Sequence, residues 1–311
     1  MRVLITGGAG FLGSNLCRKF LAGGHDVIAL DDLSTGSIVN LSDLQSSPNF
    51  AFVEWDVRKP YDFSVDLLLN FACPASPIHY QKDPVRTIET NFLGMVNALH
   101  LARKVRARVV QASTSEVYGD PAISPQHEKY WGNVNPVGIR SCYDEGKRAA
   151  ETLCFDYRRQ FGLDVRVLRI FNTYGPGMSI GDGRVVSNFI VQAIQGRKLT
   201  VYGDGSQTRS FCFVDDLVNA IYLAALRNDT FETPMNIGNP NTVTMLALAE
   251  TVAKLFNSNL EIETHELPSD DPAHRKPDIS FAKNLLGWEP QIDLASGLKK
   301  TIQYFESIVS K

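Results

Sequence analysis

The chain predicts an α/β fold: a doubly wound parallel sheet with a smaller α/β domain interleaved into it. Three observations predict this. Apolar runs of strand length alternate with stretches of helical periodicity through the first half. A glycine-rich turn stands between the first strand and the first helix. A later segment, 211–240, reads as a return to the same sheet, which leaves 176–210 and 241–311 to form the smaller domain beside a principal domain over 1–175.

Val3-Leu4-Ile5 is a short apolar run leading into Gly7-Gly8-Ala9-Gly10-Phe11-Leu12-Gly13 and a helical stretch to about Ala22. Glycines at 7, 10 and 13 permit a tight turn, close approach of backbone N–H groups to a pyrophosphate, and packing of the helix on the sheet. Their place between strand and helix makes this a Rossmann-type dinucleotide turn, with Gly7, Gly10, Phe11, Leu12 and Gly13 as candidate cofactor contacts. The second run, 26–30, ends in Asp31-Asp32. An acidic residue about 20 residues beyond the glycines accepts hydrogen bonds from ribose hydroxyls and repels a 2′-phosphate, so NAD is expected over NADP.

Segments 50–53, 65–71 and 109–112 read as further buried strands, and 84–105 as a helix. In a doubly wound sheet ligands lie at the carboxyl ends of the strands. That places Asp56, Val57, Phe71, Ala72 and Asn91 as candidates to line the cofactor. Thr114 and Glu116 follow the strand at 109–112 and belong to the same rim.

Tyr143 and Lys147 head a helix running to about Gln160, and four-residue spacing puts them on one face. A free phenol ionises near pH 10, and bringing it to neutrality takes roughly 4 kcal/mol. An ammonium neighbour and one further positive charge, such as an oxidised nicotinamide, are the expected sources.

In the second half, 165–170 is a strand that ends near Asn172, and Gly175-Pro176 turns the chain out of the sheet. Residues 184–195 read as a helix, 199–203 as a short strand, and the stretch from Leu294 as a closing helix. Loops 207–211 and 271–278 carry the arginines, whose planar forks suit a diphosphate.

A net charge of -3 gives no electrostatic reason to expect nucleic acid or an anionic membrane as partner. Five scattered cysteines without C-x-x-C spacing argue against a zinc site and a disulfide framework, and six histidines show no ligand spacing, so no metal is expected. With no signal peptide and no apolar run of membrane-spanning length, a cytoplasmic location is expected.

Longer strings narrow the reading. They are Ser113-Thr114-Ser115-Glu116-Val117-Tyr118-Gly119-Asp120-Pro121, the stretch 135–148 around Tyr143, the stretch 182–189, and Gly205-Ser206-Gln207-Thr208-Arg209. With the glycine turn, they resemble the extended short-chain dehydrogenase/reductase family of nucleotide-sugar epimerases, dehydratases and decarboxylases, from Thr6 to about Pro290. Within it they resemble most the branch that decarboxylates UDP-glucuronate. The resemblance implies an NAD kept through the cycle, with Tyr143, Lys147 and Thr114 oxidising the sugar at C4. It further implies Glu116 and Arg275 for decarboxylation and protonation, with the division between them open. A UDP-sugar would be held by Asn172, Arg184, Val185, Asn188, Tyr202, Gln207, Arg209, Arg275 and Asp278, with Arg275 at the diphosphate or the C6 end. Helices 84–105 and 143–160 would pair across a two-fold axis in a homodimer.

The related 4,6-dehydratases carry an aspartate before the glutamate, as the acid for the departing hydroxyl. Here Ser115 stands in that place and is too weak an acid for the work. A 4-epimerase or dehydratase of this fold, or a silent NAD or nucleotide-sugar sensor, are the alternatives.

Overall fold

The computed structural model describes residues 1–229, 231–256, 260–266 and 274–309. Its centre is a seven-stranded sheet of β1 (Arg2–Thr6), β2 (Asp26–Asp31), β3 (Phe50–Glu54), β4 (Leu67–Asn70), β5 (Arg108–Thr114), β6 (Val165–Ile170) and, after intervening elements, β11 (Met235–Ile237). All neighbouring pairs are parallel, in the order β11-β6-β5-β4-β1-β2-β3. Strand order reverses between β1 and β4, the topological switch point beyond which such sheets bind ligands. The strands are apolar along most of their length because helices cover both faces.

On one face lie α1 (Phe11–Ala22) and α6 (Val214–Leu226); on the other lie α3 (Pro84–Val105) and α4 (Ser141–Phe161). Between β4 and α3 sits α2 (Pro77–Lys82), a six-residue helix whose periodicity is too short to read in the sequence. Asp83 caps α3 by accepting from Arg86 N at 3.0 Å, with Pro84 in the first turn. Gly162, at φ 66°, ends α4 in the left-handed conformation that glycine adopts without strain.

The second region holds β7 (Thr173–Tyr174), α5 (Val185–Ile194), β8 (Leu199–Tyr202), β9 (Thr208–Ser210), β10 (Cys212–Phe213), β12 (Thr242–Thr244), α7 (Met245–Leu255), β13 (Ile262–His265), β14 (His274–Arg275), α8 (Ser280–Leu286) and α9 (Leu294–Val309). β8 pairs with β13, and β9 lies between β12 and β14. The return segment supplies β11 to the edge of the main sheet beside β6. The strand expected at 65–71 is shorter: Asp66 precedes it and accepts from Arg2 N at 2.8 Å, while beyond its end Phe71 N is shared between Thr6 O at 3.2 Å and the Thr6 hydroxyl at 3.1 Å. Of the loop expected at 271–278, residues 271–273 lie outside the described residues.

A buried polar chain fixes the strand ends at the switch point. Thr6 Oγ1 donates to Asn70 Oδ1 at 2.8 Å, and Asn70 Nδ2 donates to Gln111 Oε1 at 2.7 Å. Such groups are kept inside only when hydrogen-bonded, so together they lock β1, β4 and β5 in register. The glycine turn is equally constrained: a Cβ on Gly13 would stand 2.0 Å from the Gly7 carbonyl oxygen. Gly13→Ala is therefore expected to lower unfolding stability by about 1–3 kcal/mol in urea titration, as the turn shifts to admit the methyl.

Candidate active site

A cavity of about 1010 Å³ opens beyond the carboxyl ends of the central strands. The glycine turn forms one wall through Gly7, Gly10, Phe11, Leu12 and Gly13, followed by Asp31 and Asp32 from the end of β2. Val57, Phe71 and Ala72 line it next, then Thr114, Glu116, Tyr143 and Lys147. Asn172, Arg184, Val185, Asn188, Tyr202, Gln207, Arg209 and Arg275 line it as well. Three candidates stand apart from the lining. Asp56 is bound to the Arg58 guanidinium at 2.7 Å. Asn91 is buried in α3, where its amide donates to Thr87 O at 3.1 Å. Asp278 accepts from Ser280 N at 2.9 Å at the start of α8.

The first wall fits a dinucleotide. At Gly7, Gly10 and Gly13 the turn offers bare backbone to the cavity. Asp31 is built into the turn, accepting from Ala9 N at 3.0 Å and Leu33 N at 2.8 Å, and keeps lone pairs for hydroxyl donors. Burial raises its carboxyl above the ordinary range, against those two backbone donors. Asp32 instead pairs with Arg86 at 2.7 Å.

At the centre, β5 meets the first turns of α4. Lys147 Nζ donates to Ala112 O at 2.9 Å, Ser113 Oγ donates to Glu151 Oε1 at 2.5 Å, and Thr114 and Tyr143 share a side-chain hydrogen bond. Lys147 Nζ lies 5.7 Å from the centre of the Tyr143 ring. Tyr80 of α2 stacks on that ring at 5.1 Å, within 9° of parallel.

Burial raises the Tyr143 phenol, Cys73 adds to the rise, and only the Thr114 hydrogen bond counters it among the leading influences. Burial also lowers Lys147, with Cys73 and Glu151 opposing. Burial thus opposes the phenolate, and positive charge near the phenol would favour it.

Beside this pair lies a cluster of opposite charges. Arg140 and Arg275 both donate to Oε2 of Glu116, the latter at 2.5 Å. Burial penalises the Glu116 carboxylate, but the Arg275, Arg140 and Arg209 guanidiniums outweigh it and hold its carboxyl below the usual range. Asp144 goes the other way: burial and then the Glu116 charge raise its carboxyl, and its Oδ1 is buried without a hydrogen-bond partner among the described residues.

Arg209 and Arg275 come from adjacent strands, β9 and β14, directly opposite each other in parallel register. Both side chains line the cavity, and both guanidiniums act on the Glu116 carboxylate. Arg184 is held bidentately by Asp182, at 2.5 and 3.0 Å, and lies 5.6 Å from the Phe11 ring.

Sequence reasoning missed Arg140 and Tyr80, which also line the cavity. Arg140 had a legible signal, one helical turn before Tyr143. Tyr80 had none, since α2 is too short for periodicity to separate it from a loop.

Residues 3–238 match the NAD dependent epimerase/dehydratase family. The chain is 55% identical to UDP-glucuronic acid decarboxylase 3 of Arabidopsis thaliana, over 96% of this chain and 87% of that protein. It is 52% identical to UDP-glucuronic acid decarboxylase 1 of Xenopus tropicalis, over 98% of this chain and 72% of that protein. Among solved structures it is similar to a dTDP-glucose 4,6-dehydratase from Streptomyces venezuelae with NAD and TYD bound. There the TM-score is 0.90 at 28% identity, over 100% of this chain and 98% of that one. It is likewise similar to a UDP-glucuronic acid 4-epimerase from Bacillus cereus in complex with UDP-glucuronic acid and NAD. There the TM-score is 0.89 at 25% identity, over 99% of this chain and 100% of that one.

The Asp144 environment has a thermodynamic consequence. A carboxyl raised on folding stabilises the fold below its unfolded pKa, about 3.9, and that contribution is lost as pH rises through the folded value. Asp144→Asn removes the loss, so its stability relative to the parent protein should improve by about 1 kcal/mol or more between pH 4 and pH 8 in urea unfolding. A difference independent of pH would contradict the assignment.

Proposed function

The chain belongs to the NAD-dependent epimerase/dehydratase family, and we propose from that premise that it is a UDP-glucuronate decarboxylase releasing carbon dioxide and UDP-xylose. The observation that carries the reading is identity of 52–55% over nearly the whole chain to UDP-glucuronic acid decarboxylases. The epimerases and dehydratases of the same fold share only 25–28%.

NAD, held by the glycine turn and Asp31, supplies when bound the hydride acceptor for sugar C4 and afterwards the donor that returns it. The chain's own groups move the protons. Tyr143 Oη accepts the proton of the sugar 4-hydroxyl, with the Thr114 hydroxyl orienting both oxygens and the Lys147 ammonium 5.7 Å from the ring centre. Once C4 is a ketone, the C6 carboxylate is beta to it, so carbon dioxide can leave with its bonding electrons delocalised into an enolate. C5 then takes a proton, and Tyr143 returns its own to the C4 oxygen.

Held ionised by two guanidiniums, Glu116 is a poor acid. Its role in this reading is to orient a water or hydroxyl, while Arg275 meets the anionic end of the substrate. Ser115 supports the same reading, because loss of carbon dioxide expels no hydroxide and needs no second acid. Arg209 and Arg275 together match the charge of a nucleoside diphosphate.

We further place the protein in the cytoplasm as a homodimer. Free thiols on all five cysteines suit a reducing compartment. Along α3, Val85, Ile88, Phe92 and Leu93 are each at least 40% exposed, an apolar face suited to a second copy.

Two outcomes test these statements. Incubated with UDP-glucuronate, the NAD-loaded protein should release carbon dioxide and a UDP-pentose, and Tyr143→Phe should slow this at least about 100-fold with NAD still bound. An isomer of unchanged mass, or near-normal turnover by the variant, would refute the reaction or the base. In sedimentation, Phe92→Asp should convert dimer to monomer; a parent protein that sediments as monomer would dismiss the α3 face as a dimer seam.

A further inference from the structure

On the buried face of α4, Tyr143, Lys147 and Glu151 follow one another at four-residue spacing, at 7%, 4% and 7% exposure. Each reaches a different one of three successive residues at the end of β5. Tyr143 meets Thr114, Lys147 meets Ala112 O, and Glu151 accepts from the Ser113 hydroxyl. The first two belong to the chemistry already described. Glu151 does not, being one turn further along the helix.

We propose that Glu151 is a positioning residue for this reaction: clamped between Ser113 and Arg169, its carboxylate holds α4 in register with the catalytic end of β5 and so sets the place of the Lys147 ammonium one turn back.

Glu151 is tied down by three hydrogen bonds from two residues. Besides Ser113, the Arg169 guanidinium on β6 grips it bidentately, Nε to Oε1 at 3.0 Å and Nη2 to Oε2 at 2.8 Å. Arg169 is itself anchored to the Tyr118 hydroxyl at 3.0 Å and to Glu128 O at 3.2 Å. A buried ion pair of this kind adds little net stability over apolar side chains of the same shape, so the charge itself calls for a use.

That use lies one turn back. Lys147 is surrounded by Tyr143 and Glu151 from its own helix, Cys73 from the loop after β4, and a carbonyl oxygen of β5. Burial works against its ammonium, and Cys73 and Glu151 are the groups that favour it. Cys73 is itself kept from ionising by burial, which leaves Glu151 as the standing negative charge. Arg169 faces Glu151 from beyond and holds both of its carboxylate oxygens.

The kinetic arm of the test rests on the decarboxylase reading; the spectroscopic arm does not. In lysine-labelled protein, NMR titration of the Lys147 ammonium should show Glu151→Gln lowering its midpoint by about one pH unit. The alkaline limb of the kcat profile should move down with it, KM for UDP-glucuronate should stay level, and Glu151→Asp should restore much of the profile. Because Glu151→Gln leaves Arg169 under-paired, the double variant Glu151→Gln/Arg169→Met removes both charges and should shift the midpoint the same way. Folded variants whose Lys147 midpoint stays at the parent value, with only thermal stability reduced, would overturn the proposal. Failure of the parent protein to release carbon dioxide would refute the reaction, while the Lys147 titration would still decide the role of Glu151.

Discussion

The register of helix α4 against the last residues of β5 is the constraint on which the site depends. Those residues end at the rim where strand order reverses, so they are already aimed at the cavity. The helix adds reactive groups at one-turn intervals, and each is tied to its own strand residue. Both partners are regular elements, and a site carried on them is held more tightly than one assembled from loops. Below, the Thr6–Asn70–Gln111 chain fixes β5 in the sheet, so an error of register in α4 would displace phenol and ammonium together.

Burial then sets the chemistry. It works against charge on both catalytic partners, raising the phenol and lowering the ammonium. Positive charge near the phenol would favour its base form. A few ångströms of protein away the outcome is opposite. Glu116 is as buried, yet two guanidiniums on one oxygen keep it ionised. One side of the cavity handles a proton and the other is organised around anions, a division that suits oxidation at one sugar carbon and loss of a carboxylate at another.

The fold was legible because local signals agree with one another. The glycine spacing, the acidic end of β2 and the alternation of strand and helix all describe the same sheet, and Tyr143 and Lys147 share a helix face in any register. What escaped depends on contacts between distant segments. Arg140 and Arg275 converge on Glu116 across 24 and 159 residues of chain, and no local pattern encodes that meeting. Asp56 follows β3 as expected, with its carboxylate paired to Arg58, while Asp278, which the resemblance alone assigned to the substrate, accepts from Ser280 N. Asn91 faces the packed interior of α3, where the Gly146 of α4 passes closely. Periodicity assigns a face to such residues without saying which partner meets it. The electrostatics were least legible, since spacing shows the ammonium beside the phenol but not the depth at which both are buried.

The most direct measurement uses UDP-glucuronate carrying ¹³C in the carboxylate and deuterium at C4, turned over in ordinary water and followed by NMR and mass spectrometry. The account predicts that all the ¹³C leaves as carbon dioxide, that the pentose keeps its C4 deuterium, and that one solvent hydrogen enters at C5. Retention of the ¹³C in an isomerised sugar, or a pentose whose C4 deuterium has been lost to solvent, would contradict it.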